Sequence, residues 1–514
     1  MLSGNHRLKK SFKQTFNGTA KDSSQDLSNG LRGPAESFGD EYLAPAYAAR
    51  GITAPISKYR LPEDLTQPEV AAQIIKDELN LDGNATLNLA SFVTTWMDKS
   101  ADELIMSTLN KNFVDAEEYP QTIEMHDRCV NMLANLFNAP HEENYMGCAT
   151  VGSSEAIHLA GLALKWNWKK KMQSLNKPTS EPNIVMGQNV QVCWEKFARY
   201  FEVEPRYVPM AENRYIIDPA EAVKLVDENT IGVVGILGST YTGEYEPIEE
   251  LSNALDELYA NSGLDVMMHV DAASGGFVAP FLQPELKWDF RLKRVVSINT
   301  SGHKYGLVYP GIGWVIWRDP SRLPDELIFH VNYLGGDHPT FQLNFSRGAS
   351  QVLAQYYNFI RLGRTGYKSV MQSLNTTASW ISNGLNDLGC FEIIHAGQDL
   401  PVVCFKVKEG YDLDVFELSD LLKQRGWIIP AYTMAPNAQD VSVLRIVVRE
   451  GLSMDLAQLL IRDITQVASI AKSRIGQTEF DVIEGSNKKA APESATEPTK
   501  DDTRGRHKIH RGVC

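Results

Sequence analysis

The chain has 514 residues, a length for two or three domains at about 100–200 residues each. Its 43% hydrophobic and 22% charged residues fit a globular protein rather than a disordered or fibrous one. The net charge of −14 argues against nucleic acid as a principal partner, and no apolar run approaches the ~18 residues of a membrane span.

Residues 1–40 are rich in Ser, Gly, Asn and Lys and read as a disordered arm. The arm has no apolar signal core. Its early bases (His6, Arg7, Lys9, Lys10, Lys13, Lys21) suggest a mitochondrial presequence, but Lys outnumbers Arg and Gly, Asn and Gln interrupt any helical face. A flexible arm on a cytoplasmic protein is therefore expected. Residues 41–85, broken by Pro45, Pro55, Pro62 and Pro68, end in a helical pattern at Val70-Ala71-Ala72 and Ile74-Ile75.

From 86 to 365 helical and strand patterns alternate, as in an α/β domain with a mostly parallel sheet. Helices are expected between Pro120 and Pro140 and from Ser153 to Met172. Strands are expected at Asn183–Met186, Val190–Cys193, Ile231–Leu237, Val266–Met268, Val295–Ile298 and Ile312–Trp317. From 366 to 475 the pattern becomes α+β, with a helix over Val370–Leu388 and strands at Val402–Phe405 and Val441–Ile446. A closing helix carries Leu456, Leu459, Leu460 and Ile464. Residues 476–514 are Lys, Ser, Thr, Pro and acid, and read as a mobile tail. Six cysteines (Cys129, Cys148, Cys193, Cys390, Cys404, Cys514) show no CxxC, and no His cluster has metal-ligand spacing. Reduced thiols and no metal site are expected.

Two strand ends carry the chemistry. Lys304, in Ser301-Gly302-His303-Lys304-Tyr305-Gly306, lies 33 positions after Asp271 of His269-Val270-Asp271-Ala272-Ala273-Ser274 (304 − 271). Each follows a buried apolar run. A lone lysine is ordinarily a solvated surface residue. Paired with a carboxylate at a neighbouring strand end, it becomes the equipment of a pyridoxal phosphate (PLP) enzyme. The lysine holds the aldehyde as a Schiff base and the carboxylate keeps the pyridine nitrogen protonated. Gly152-Ser153-Ser154-Glu155-Ala156 opens a helix with small residues and two hydroxyls. Alone it fits a plain N-cap as well as a phosphate cup; beside Asp271 and Lys304 the cup is favoured. Ser301 could add a hydroxyl and His303 could point to the phosphate side. Ala273 shares a strand face with Asp271 and leaves room for a flat ring.

Further stretches give a resemblance. Val190-Gln191-Val192-Cys193-Trp194 with Lys196-Phe197-Ala198-Arg199-Tyr200, and Thr240-Tyr241-Thr242-Gly243, stand in the order found in the glutamate decarboxylases of bacteria, plants and fungi. Tyr333-Leu334-Gly335-Gly336, Phe345-Ser346-Arg347 and Leu444-Arg445-Ile446 continue the match, which covers about residues 40–470. The resemblance implies a PLP-dependent transferase-like large domain of fold type I, with a mostly parallel sheet, and a smaller α+β C-terminal domain. It implies decarboxylation of L-glutamate to 4-aminobutyrate, in a homodimer or hexamer whose sites are shared between subunits.

By the same resemblance Lys304 is the Schiff-base lysine and Asp271 the partner of the ring nitrogen. Gln191 stacks on the ring face away from the lysine, and Thr240 lies at the ring hydroxyl and carboxylate region. Ser153, Ser154, Ser301 and His303 hold the phosphate, with Ser346 donated by the other subunit. Arg445 holds the substrate's α-carboxylate. Asn112 and Asp115 approach the distal carboxylate from the partner. Ser91 falls where bacterial members have Thr, so the hydroxyl is kept and a methyl contact is lost. Tyr333 resembles the tyrosine that protonates Cα. Other readings are a decarboxylase of another amino acid, a PLP lyase of a phosphorylated lipid amine, and a silent PLP-fold scaffold. The lipid lyase would need a membrane anchor and a second phosphate site; the scaffold should have lost Lys304 or Asp271. The tail has bases but no Trp after Trp427 and no spaced apolar anchors, so calmodulin is not expected as a partner.

Overall fold

The computed structural model describes residues 59–63, 65–140, 145–333 and 338–469. The expected N-terminal arm and C-terminal tail lie outside the described residues, as do Leu334, Gly335 and Gly336. The chain divides between Gly83 and Asn84 into two units. The first holds α1 (Pro68–Leu79), which begins on a proline where the helix needs no N–H donor.

The second unit opens with α2 (Lys99–Ser107), capped by the Asp98 carboxylate accepting from Ala101 N. Next come α3 (Pro120–Leu136), β1 (Met146–Thr150), α4 (Ser153–Ser174), β2 (Asn183–Gly187), α5 (Val192–Tyr200), β3 (Glu204–Val208) and β4 (Thr230–Ile236). Helix α6 (Ile248–Ser262), β5 (Met268–Asp271), β6 (Val295–Thr300) and β7 (Gly313–Trp317) complete a seven-stranded sheet in the order β1-β7-β6-β5-β4-β2-β3. Strands β3, β2, β4, β5 and β6 run parallel, and β7 is antiparallel to both its neighbours. The central strands β4 to β7 are buried at every position, as a sheet covered on both faces requires. Leu164, Trp168, Trp194 and Phe197 of α4 and α5 pack with Ile184, Met186 and Val234. Val233, Val270 and Ile298 point to the other face, toward Leu251, Trp288 and Phe290.

One expected strand is corrected. Val190-Gln191-Val192-Cys193 is the entry to α5: Gln191 is extended and its Oε1 accepts from Cys193 N at 2.8 Å as a helix cap. Three apolar residues around one Gln are too few to set a period, so the run could not tell a strand from a helix's first turn.

After β7 a two-stranded ribbon, β8 (Phe329–Val331) and β9 (His338–Thr340), leads to α7 (Ser350–Asp387). The helix expected over 370–388 is the second half of α7, which kinks at Gly363, where φ is 54°. Position 366 falls inside this helix. A four-stranded antiparallel sheet follows, ordered β10 (Phe391–Ala396), β11 (Val402–Val407), β13 (Ser442–Val447), β12 (Ala431–Thr433), with α8 (Val415–Lys423) and a helical segment over 454–469. The C-terminal ends of β1, β4, β5 and β6 meet at one edge of the large sheet, where ligands bind in open α/β folds.

Candidate active site

Lys304 stands in the tight turn after β6. A Cβ on Gly306 would lie 2.5 Å from the Gly302 carbonyl oxygen, so glycine lets this turn close. Thr94 Oγ1 donates to the Lys304 carbonyl at 2.7 Å and fixes the turn from outside. The Lys304 amine donates to Ser274 Oγ at 3.2 Å and lies 5.2 Å from the centre of the Phe92 ring. Burial lowers its pKa; Asp271 and Cys193 oppose that shift and Arg445 adds to it.

Asp271 ends β5, next to β6 in the sheet. Three N–H groups fix its carboxylate: Trp194 Nε1 on Oδ2 at 3.0 Å, and Asn299 Nδ2 and Ala273 N on Oδ1 at 2.9 and 3.2 Å. The backbone N–H of Ser301 donates to the Ala273 carbonyl at 3.1 Å, tying the two strand-end turns together.

The hydroxyls of Ser153 and Ser301 meet at 2.6 Å, although 148 residues separate them. Ser153 opens α4, whose N-cap Gly152 offers no side-chain acceptor to the first N–H groups, and Ser154 is exposed in the same turn. His303 reaches this place too: a Cβ on Gly152 would stand 3.1 Å from its Cε1. Its Nδ1 accepts from Ile312 N at 3.2 Å and Gly311 N at 3.4 Å, which puts the ring proton on Nε2. Burial, then the Lys304 charge, pushes the His303 pKa down to about 4.

Arg445, on β13, is wholly buried. Nη1 donates to the Thr240 carbonyl and Nη2 to the Ala90 carbonyl at 2.7 Å, while Nε has no partner among the described residues. Its guanidinium carbon lies 5.0 Å from the centre of the same Phe92 ring that faces Lys304. Gln191, capping α5, is half-buried. Ser91 Oγ accepts from Val93 N at 3.1 Å, next to Ala90 and Phe92. Two hydroxyls, an imidazole N–H and a bare helix start suit a phosphate; an amine suits an aldehyde, and a fixed carboxylate suits a ring nitrogen. The set fits pyridoxal phosphate, and the partnerless Arg445 Nε fits a carboxylate.

A second group forms elsewhere. Asn112 Nδ2 donates to Ser346 Oγ at 3.4 Å, and Asn112 Oδ1 accepts from Arg347 N at 3.1 Å. Asp115 N donates to the Asn112 carbonyl at 3.2 Å, within the same turn. Tyr333 is 69% exposed, and its ring lies 6.3 Å from that of Phe345, the residue before Ser346. Among the described residues no hydrogen bond or ring contact joins Tyr333, Asn112, Asp115 or Ser346 to Lys304. Sequence reasoning assigned no role to Phe92, Trp194 or Asn299. Asn299 did leave a signal, a polar residue in a buried strand between Ile298 and Thr300; Phe92 left none.

Residues 62–408 match the pyridoxal-dependent decarboxylase conserved domain. The chain is 56% identical to a glutamate decarboxylase of Petunia hybrida over 430 residues, 83% of this chain and 86% of the other. It is 51% identical to a glutamate decarboxylase of Aliivibrio fischeri over 428 residues, 83% of this chain and 92% of the other. The solved glutamate decarboxylase of Lactobacillus brevis superposes with a TM-score of 0.80 at 44% identity, over 83% of this chain and 98% of that one.

Proposed function

The chain belongs to the glutamate decarboxylases of the pyridoxal-dependent decarboxylase family, and on that premise we propose how its own residues convert L-glutamate to 4-aminobutyrate and carbon dioxide. The observation that carries the proposal is a buried amine of lowered basicity, Lys304, one strand away from a carboxylate fixed by three donors, Asp271. Pyridoxal phosphate, when bound, supplies the aldehyde that Lys304 takes and a ring that withdraws electrons from the breaking Cα–carboxylate bond.

The residues of the chain do the rest. Ser153, Ser154, Ser301 and the Nε2–H of His303 hold the phosphate at the start of α4. Gln191 covers one face of the ring, Ala273 gives the other a flat support, and Thr240 lies at the polar edge. Asp271 keeps a proton on the ring nitrogen. Arg445 takes the α-carboxylate of glutamate; a planar fork holds that group at a fixed angle, the angle at which its bond to Cα can break. Ser91 offers a hydroxyl near the distal carboxylate. Tyr333 delivers a proton to Cα as a general acid, and the net reaction consumes one proton.

Asn112, Asp115 and Ser346 serve a neighbouring subunit. Support comes from their gathering into one patch with Tyr333, which no hydrogen bond or ring contact among the described residues joins to Lys304. The active unit is thus at least a dimer of this chain. No helix among the described residues is long and apolar enough to cross a membrane. The five described cysteines are buried, and Cys129, Cys148, Cys193 and Cys404 are free thiols, which supports a reducing compartment such as the cytoplasm.

Two measurements test the reading. With pyridoxal phosphate and a panel of twenty amino acids, the amine product should be 4-aminobutyrate from L-glutamate; an aromatic amine as the main product would overturn the substrate. Borohydride reduction and peptide mapping should place the pyridoxyl group on Lys304; a label on another lysine would remove the assignment.

A further inference from the structure

Behind Asp271 runs a line of buried polar side chains that the proposed function does not use. His269 and Asp271 share one face of β5, and Ser297 and Asn299 share the facing side of β6. The register pairs His269 with Ser297 and Asp271 with Asn299. His269 Nδ1 lies 2.8 Å from Ser297 Oγ, and its Nε2 lies 2.7 Å from Asn299 Oδ1. Asn299 Nδ2 then donates to Asp271 Oδ1 at 2.9 Å, while Trp194 Nε1 donates to Oδ2 at 3.0 Å. Trp194, His269 and Asn299 have no exposed surface, and Ser297 has 1%. Apolar side chains would build these two strands at less desolvation cost.

The direction of every bond in the line is determined. Asn299 Oδ1 can only accept, so His269 Nε2 carries the ring proton and Nδ1 accepts from the Ser297 hydroxyl. Burial lowers the His269 pKa, so one ring proton is the resting state. A flipped Asn299 amide would set its oxygen against Asp271 Oδ1, two acceptors with no proton between them, and that contact forbids it. His269 therefore holds the asparagine, and the asparagine holds the carboxylate.

We propose that His269, Asn299 and Trp194 are positioning residues that keep the Asp271 carboxylate in one orientation, with both oxygens accepting, so that the cofactor's ring nitrogen retains its proton throughout turnover. This rests on the reading of Asp271 as the partner of that nitrogen. With the hold removed, the carboxyl group turns, the ring proton is less favoured, and the ring withdraws electrons less.

The test uses holoenzyme loaded with pyridoxal phosphate carrying ¹⁵N in the ring, whose shift reports protonation, beside cofactor affinity, kcat and KM. His269→Leu and Trp194→Phe should move the ¹⁵N signal toward the unprotonated position. They should also lower kcat by about 10–100-fold, the scale for removing a group that orients a ligand-holding residue, with KM within about twofold. His269→Gln carries an N–H that can replace Nε2–H, and should keep the parent signal. In the double variant with Asn299→Leu, the His269→Leu change should add little, because the histidine acts through the asparagine. Parent ¹⁵N signal and kcat in both His269→Leu and Trp194→Phe would overturn the proposal. So would a His269→Gln enzyme as impaired as His269→Leu. Trp194→Phe keeps an aromatic ring and removes one N–H, so it decides the matter even if His269→Leu does not fold. Asp271→Asn separates the premise: if that holoenzyme keeps a protonated ring nitrogen, the reading of Asp271 fails. If only Asp271→Asn moves the signal, the positioning role fails and the premise stands.

Discussion

Arg445→Lys keeps the charge and most of the length but removes the fork. In the structure the two terminal nitrogens of Arg445 hold the Thr240 and Ala90 carbonyls with one N–H each, and Nε is the one guanidinium nitrogen without a partner among the described residues. A single ammonium at that depth cannot serve both carbonyls and also present a flat pair of donors to a carboxylate. One charge-assisted hydrogen bond to the α-carboxylate should be lost, about 1.5–3 kcal/mol. At 1.36 kcal/mol per decade that is about 10–150-fold in kcat/KM. The assay is the initial rate of carbon dioxide release against glutamate concentration, with the melting temperature measured beside it. Arg445→Leu is the contrast: it strands two buried carbonyls at about 1–3 kcal/mol each, so stability falls along with activity. An Arg445→Lys enzyme within twofold of the parent kcat/KM would refute a substrate-binding role. A variant whose rate loss merely follows its unfolded fraction would show the arginine to be structural.

Mixing inactive Lys304→Ala with inactive Asp115→Ala should restore roughly a quarter of parental activity through hybrid dimers with one intact site; no recovery after verified subunit exchange refutes the shared site. Tyr333→Phe should slow proton return to Cα by about 10²–10⁴, and succinic semialdehyde and pyridoxamine phosphate should accumulate; a parental rate with neither product would assign the proton to another group. The folded pKa of His303 lies below its unfolded value, so the unfolded chain binds the extra proton first and stability falls as pH drops from 6.5 to about 4. Over that window the apoenzyme should lose on the order of 3 kcal/mol more than its His303→Gln variant in urea unfolding; parallel pH curves would show that His303 titrates normally.

The Lys304–Asp271 pairing was legible because each residue lies just beyond a short apolar run, Val295–Ile298 and Val266–Met268, that reads as a buried strand. Adjacent strand ends then bring the two together without further information. Val190–Cys193 failed because three apolar residues around Gln191 fit a strand and a helix's first turn alike. Position 366, where composition changes, lies in α7 three residues after Gly363, where the backbone leaves helical geometry. Phe92 and Trp194 were illegible as site residues because their roles come only from what they touch. Phe92 meets cations 212 and 353 residues away (304 − 92 and 445 − 92), and no local pattern encodes such a contact. For Asn112, Asp115 and Ser346 even one folded chain is not enough, since the proposed roles belong to a neighbour's site.

Phe92 links two functions that the sequence kept apart. Lys304 and Arg445 both face its ring, at 5.2 and 5.0 Å, and the charge of Arg445 helps to lower the pKa of Lys304. A lower pKa means more free amine, the form that bonds an aldehyde. The guanidinium that orients glutamate therefore also tunes the lysine, and a carboxylate held by Arg445 would offset part of that charge and raise the basicity of the amine. The two effects are coupled through charge alone and separated by shape. A lysine at position 445 keeps the charge near Lys304 and loses the planar fork, so any drop in kcat/KM there measures orientation of the substrate and not the basicity of Lys304.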